Sequence, residues 1–278
     1  MFGSFINYNQ DGGQITLQDA YGKLILTYIT ESILNIFSPD YTDDHRSKAI
    51  EGDKRVACDI TVTEHEDHLE IATPAMTARV YGRDQIEIYD GDDQLICRDF
   101  AGERTPLNYL SERDIALAES EGHVVRQRPA RLPVQAVKVL DPGDHFYGLG
   151  DKTGFLNQRD YEYENWNSDI PDPQVGSFVS LYKSIPFFIV AKDEPQVCYG
   201  IFFDNTFHSY FDFGKESQDY YYFGSENGNL DYYFFSGKSM TDIVEQYTWL
   251  TGRMPRPQLW TLGYHQSRWG YDSEDRFR

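Results

Sequence analysis

The sequence predicts a mainly β chain, with antiparallel sheets packed face to face as a sandwich and a single late helix. Three observations carry that prediction. Apolar residues recur with a period of two, turn signals interrupt those runs at short intervals, and Phe, Tyr and Trp make up 15% of the chain. A period of two buries one face of a strand and leaves the other in water. Tyr and Phe suit that pleated surface. Short strands with frequent turns and few helices bury their apolar faces against a second sheet.

The elements follow in order. Residues 23–37 open the strand pattern. Residues 68–99 read as a meander of four short antiparallel strands. Met76, Ala78 and Val80 share one face there, as do Ile86 and Ile88, and Gly82-Arg83-Asp84 and Asp90-Gly91-Asp92-Asp93 supply turns. Residues 101–133 mix charge, proline and a weak helical pattern around residues 114–121, and read as a connection. Residues 134–140, 184–191, 199–213 and 219–235 return to strand, the last two dense in Tyr and Phe.

Ser239 is placed to cap the helix, with Asp242 three residues on as a weak capping box. Ile243, Tyr247 and Leu250 fall on one face with Val244 beside them. Gly252 ends the helix, and Pro255 and Pro257 prevent its continuation. The apolar run that follows, Leu259-Trp260-Thr261-Leu262-Gly263-Tyr264, reads as a buried strand beyond a domain boundary.

Composition restricts the partners. Acids outnumber bases 45 to 25, for a formal charge of −20 in 278 residues. Such a field repels a phosphate backbone or an anionic membrane, so neither nucleic acid nor membrane is expected as a partner. A neutral sugar is not penalised. Cys58, Cys97 and Cys198 are odd in number and irregularly spaced, which suggests neither a disulfide framework nor a zinc set. No cofactor and no metal are expected. Met1-Phe2-Gly3-Ser4 runs into polar residues rather than an apolar leader, and the default expectation is a cytoplasmic protein.

Three local motifs read as structure. Gly148-Leu149-Gly150-Asp151-Lys152-Thr153 looks like a phosphate loop, but Asp151 stands directly before Lys152, where an acid repels the anion. His65 and His68, three apart in a strand-like region, are expected on opposite faces as a solvated turn pair. Asp90, Asp92 and Asp93 lack the downstream Glu of a calcium loop.

Six blocks together carry a family resemblance. Phe146-Tyr147-Gly148-Leu149-Gly150-Asp151 is followed by Trp166-Asn167-Ser168-Asp169 and then by Leu181-Tyr182-Lys183-Ser184-Ile185-Pro186-Phe187. Tyr199-Gly200-Ile201-Phe202-Phe203-Asp204-Asn205 comes next, then residues 228–235 with Asp231-Tyr232-Tyr233-Phe234 inside them. Tyr247-Thr248-Trp249-Leu250-Thr251-Gly252 leads through Pro257 to Leu262-Gly263-Tyr264-His265-Gln266-Ser267-Arg268-Trp269-Gly270-Tyr271. In this order they resemble glycoside hydrolase family 31, with Asp151 where that family usually has Glu.

The resemblance implies a galactose-mutarotase-like β-sandwich over residues 1–238, a helix and proline linker over 239–257, and the first βα unit of a truncated (β/α)8 catalytic barrel over 258–278. It implies a retaining α-glucosidase as the parent enzyme, whose partners are an α-linked oligosaccharide and its own catalytic barrel. No catalytic residue is expected in this chain: the nucleophile and acid/base Asp are expected beyond residue 278, so the chain alone is expected to be inactive. Two substrate-binding residues are implied. Asp169 matches a loop carboxylate that reaches over the barrel mouth, and Tyr271 matches an aromatic lining the pocket. An α-xylosidase or transglucosylase of the same family, or a stand-alone carbohydrate-binding sandwich, are the alternatives.

Overall fold

A computed structural model describes residues 7–20, 22–39, 47–106, 113, 116, 117, 120, 121, 131–170, 180–265 and 273–277. The predicted antiparallel sandwich is what these residues form. One layer is an eight-stranded sheet. It runs from β1 (Asn7–Asp11) through β2 (Gln14–Gln18), β3 (Lys23–Thr30) and β4 (Ile33–Ser38) to β17 (Leu230–Gly237). It then continues through β14 (Cys198–Phe203) and β13 (Ser184–Lys192) to β11 (Asp144–Gly150).

The facing layer has two parts. A meander joins β5 (Thr61–Glu64), β6 (Leu69–Ala72), β7 (Met76–Gly82), β8 (Gln85–Asp90) and β9 (Leu95–Arg98). A second sheet has the order β10 (Val134–Val139), β16 (Tyr220–Ser225), β15 (Ser209–Asp212) and β12 (Glu162–Asn165). An isolated bridge between Asp99 and Lys138 stitches β9 to β10.

That seam is charged and buried. The Lys138 ammonium lies 2.6 Å from Asp99 Oδ1 and donates to the Tyr232 hydroxyl at 3.0 Å, with the lysine 1% exposed. The other Asp99 oxygen accepts the Ile86 backbone N–H at 2.8 Å. Burial pulls the lysine's pKa down, but the charge of Asp99, its hydrogen bond and the neighbouring Tyr232 and Cys97 together outweigh it and hold Lys138 above its ordinary value. A pair of this kind adds little net stability over apolar side chains, because both charges have been taken out of water.

Between the layers lies an aromatic core. Phe188 is fully buried, and its ring is surrounded by those of Phe146, Phe211, Phe213, Tyr221 and Phe223 at centroid distances of 5.0–6.3 Å. Buried tyrosines need a partner for the hydroxyl. Tyr28 donates to the Ile71 carbonyl at 2.9 Å, and Tyr199 and Tyr221 pair with each other at 2.9 Å.

The predicted helix is α1 (Met240–Thr251), capped by the Ser239 hydroxyl accepting from the Asp242 N–H at 3.2 Å. It lies on the outer face of the eight-stranded sheet, where Tyr247 stacks on Phe187 at 3.8 Å and Ile243 is fully buried. Gly200 makes this approach possible: a Cβ there would stand 2.5 Å from the Ile243 Cγ2 methyl.

Two expectations need correction. The run Leu259–Leu262 is a 3-10 turn rather than a buried strand, with Leu259 85% and Trp260 75% exposed. A strand needs a neighbour to take its N–H and C=O groups. Here Thr261 N–H and Gly263 N–H bond locally to Gln258 and Trp260. His65 and His68 are not on opposite faces. The meander has one more strand than expected, β5, and the β5–β6 register that pairs Glu64 with Leu69 sets His65 directly opposite His68.

Candidate functional site

Strand β12 ends at Asn165 and delivers Trp166, Asn167, Ser168 and Asp169 to the surface. The loop is held by its own polar groups. Ser168 N–H donates to the Leu181 carbonyl at 2.9 Å, Ser168 Oγ donates to the Trp166 carbonyl at 3.0 Å, and the Ser180 hydroxyl donates to that same carbonyl. Across from it, the Tyr182 hydroxyl donates to the Ile170 carbonyl at 2.5 Å.

Asp169 is exposed, as a ligand-facing carboxylate has to be. It also neighbours the Tyr182 phenol: desolvation first, then the nearby Asp169 carboxylate, raise that phenol's pKa. A carboxylate accepts from two sugar hydroxyls without giving up this neighbour, since it carries about four lone-pair sites. Tyr271, the other implied binding residue, lies outside the described residues.

Trp166 is 57% exposed and stacks on His208 at 5.1 Å. His208 in turn stacks on Tyr210 at 4.6 Å, and its Nε2 lies 3.1 Å from Glu164 and its Nδ1 3.5 Å from Glu226. The ring is thus flanked by two carboxylates and stacked between Trp166 and Tyr210. It serves to hold the indole.

Beside Trp166 opens a depression of about 650 Å³ whose walls include Asn165, Asn167, Ser184, Phe202 and Phe207. The Asn165 amide and the Ser184 hydroxyl are buried there without a hydrogen-bond partner among the described residues. The flat, exposed indole on this wall suits the apolar face of a neutral sugar. Nothing in this arrangement pairs a nucleophile with a free base. Asn165, Ser184, His208 and the two glutamates were not legible in the sequence, because strand pairing rather than spacing brings them together.

The Gly-Leu-Gly block is a bulge. Gly148 has φ of +141°, and a Cβ on it would come within 2.5 Å of the Phe187 carbonyl oxygen. Lys152 reaches into the protein and donates to the Glu164 carbonyl at 2.7 Å, so it is not a phosphate ligand. Desolvation lowers its pKa to about 8. The unfolded chain therefore binds the extra proton between about 8 and 10.5, and this lysine's contribution to stability rises with pH across that window. We expect denaturant unfolding to show wild type gaining on Lys152→Met between pH 7.5 and 9.5. A constant gap would contradict the depressed lysine.

A family model described as the glycosyl hydrolase 31 N-terminal galactose mutarotase-like domain matches residues 23–212. The chain belongs to this family. Alpha-glucosidase 2 of Bacillus thermoamyloliquefaciens is 47% identical over 141 residues, covering 51% of this chain and 18% of that protein. An alpha-glucosidase of Saccharolobus solfataricus is 34% identical over 178 residues, covering 62% of the chain and 24% of its own length. Among solved structures, a Flavobacterium johnsoniae family 31 dextranase complexed with isomaltotriose superposes with a TM-score of 0.77 at 31% identity, over 95% of this chain and 30% of that one. The glucosidase II alpha subunit shares the fold, with a TM-score of 0.70 at 18% identity over 97% of the chain and 36% of its own. The family 31 domain thus spans well under half the length of each of these proteins. Among its described residues no helix is long and apolar enough to cross a membrane.

Proposed function

We propose that this domain is the non-catalytic sandwich of a retaining α-glucosidase, carrying a (β/α)8 barrel and lending it one carboxylate, Asp169, for substrate selection. The observation that carries the reading is the pinned loop from Trp166 to Ile170, which carries an exposed carboxylate and an exposed indole, the indole on the wall of a depression. Retaining hydrolysis needs two carboxyl groups about 5–5.5 Å apart, and we assign both to the barrel. Residues 258–278 are proposed to start that barrel, the exposed Leu259, Trp260 and Leu262 being the side chains it would bury. Tyr271 is proposed to line the same pocket. The α-glucosidase relatives and the dextranase support an α-linked glucose oligomer as substrate, and we propose a cytoplasmic location.

The test is Asp169→Ala in the full-length enzyme, assayed on maltose, isomaltose and an aryl α-glucoside. Losing a charge-assisted hydrogen bond is worth about 1.5–3 kcal/mol, or about 10- to 150-fold in kcat/KM. The loss is expected on the disaccharides and not on the aryl substrate. Unchanged kinetics on every disaccharide removes Asp169 from the site. Tight binding of maltose by this chain alone favours a stand-alone carbohydrate-binding sandwich, and activity confined to α-xylosides favours an α-xylosidase.

A further inference from the structure

At the far end of the meander, the β5–β6 hairpin gathers two imidazoles and a carboxylate on its outer face. His65 and His68 face each other just beyond the last ladder pair, Glu64 and Leu69, with the His65 N–H donating to the His68 carbonyl at 2.9 Å, and Glu70 shares the face of His68. The two rings stack at 4.3 Å, nearly parallel at 11°. One ligand atom from each of His65, His68 and Glu70 lies within 4.8 Å of the other two.

Two further features are hard to explain as simple ring packing. His68 Nε2 is buried with no hydrogen-bond partner among the described residues, and such an orphan costs free energy unless something takes its lone pair. The opposite nitrogen, Nδ1, lies 2.7 Å from the Asp67 carboxylate. A carboxylate there fixes the tautomer that leaves Nε2 unprotonated, the arrangement that orients metal-binding histidines and raises their basicity. We propose that His65, His68 and Glu70 bind one divalent transition-metal ion of the zinc type, with Asp67 as the positioning carboxylate.

The ligand chemistry selects the ion class. Imidazole suits zinc, copper or nickel, whereas magnesium and calcium prefer all-oxygen sites. Three protein ligands leave a fourth tetrahedral position for water. Bonds of about 2.0–2.1 Å place tetrahedral ligands about 3.4 Å apart, so the cluster must contract. His65 is the residue able to do so: it is exposed, and tilting its ring out of the stack turns its lone pair toward His68. Glu70 shares one oxygen, Oε2, with Arg79 Nε at 2.9 Å and keeps Oε1 for the ion. Arg79 does not monopolise it, being bonded also to Asp93 at 2.9 Å and lying over the Tyr89 ring.

Isothermal titration of the tag-free chain with zinc sulfate, repeated in excess magnesium, tests the proposal. Cobalt(II) absorption reports the coordination independently. The expected result is one equivalent of zinc, undisturbed by magnesium, and a tetrahedral cobalt spectrum. His65→Ala and His68→Ala each abolish both signals, and Asp67→Asn weakens binding about 10- to 100-fold. His65 is exposed, so its variant stays informative even if His68→Ala loosens the hairpin; a thermal melt without metal checks the fold of both. Absence of binding up to millimolar zinc overturns the site. So does a full equivalent retained by the His65→Ala/His68→Ala double variant, and displacement by magnesium overturns the ion class.

Discussion

Asp99→Ala is expected to destabilise the domain by about 3–5 kcal/mol, because it leaves the Lys138 ammonium buried without its counter-charge. The same change orphans the Ile86 N–H, which Asp99 Oδ2 accepts. Both losses fall on Asp99, whose bridge to Lys138 joins the meander to the second sheet of its layer. Urea unfolding followed by circular dichroism measures the effect. Asp99→Asn keeps an acceptor for Ile86 but not the charge, and should recover only part of the loss. The double variant Asp99→Ala/Lys138→Met should recover most of it, since no unpaired charge remains. A cost below about 1 kcal/mol for Asp99→Ala would mean that the seam is held by packing alone.

Phe188→Ala is expected to cost about 3–5 kcal/mol, the range for truncating a fully buried aromatic. Five rings surround Phe188, contributed by β11, β15, β16 and the turn after β15, so collapse around the gap would require both layers to shift. Near-UV circular dichroism should lose intensity as urea unfolding shifts to lower concentration. Phe188→Leu, which refills part of the volume, should cost less. Equal costs for the two would show that the ring cage is looser than its geometry indicates.

The fold was legible in the sequence where one face of a strand is wet. Met76, Ala78 and Val80 alternate with half-buried Thr77 and Arg79, and the four strands read over residues 68–99 are observed, with β5 added before them. The helix was legible with its cap, since Ser239 and Gly252 act locally. Legibility failed where both faces are buried. All six residues of β16 are covered, as are all but the last of β17, so the run 219–235 gave strand but no hint that its two halves lie in opposite layers. It failed again where pairing decides proximity. His65 and His68 meet across a hairpin, and Glu164, His208 and Glu226 meet from β12, the loop entering β15 and the turn after β16. Asp169 was reached through the resemblance rather than through any physical signal, and its neighbour Tyr182 became visible only in the structure.

The pairing of β4 with β17 also bears on how the chain is made. Leu230 lies opposite Ser38 and Phe235 opposite Ile33, so a strand finished early waits for one synthesised roughly 190 residues later. At about 5–20 residues per second, that wait lasts about 10 to 40 s on the ribosome, whereas a hairpin closes in microseconds. Strands β1 to β4 thus stand as a half-sheet with the N–H and C=O groups of the β4 edge unpaired until β17 is made, and the nascent chain offers that edge to any holding chaperone at the tunnel exit.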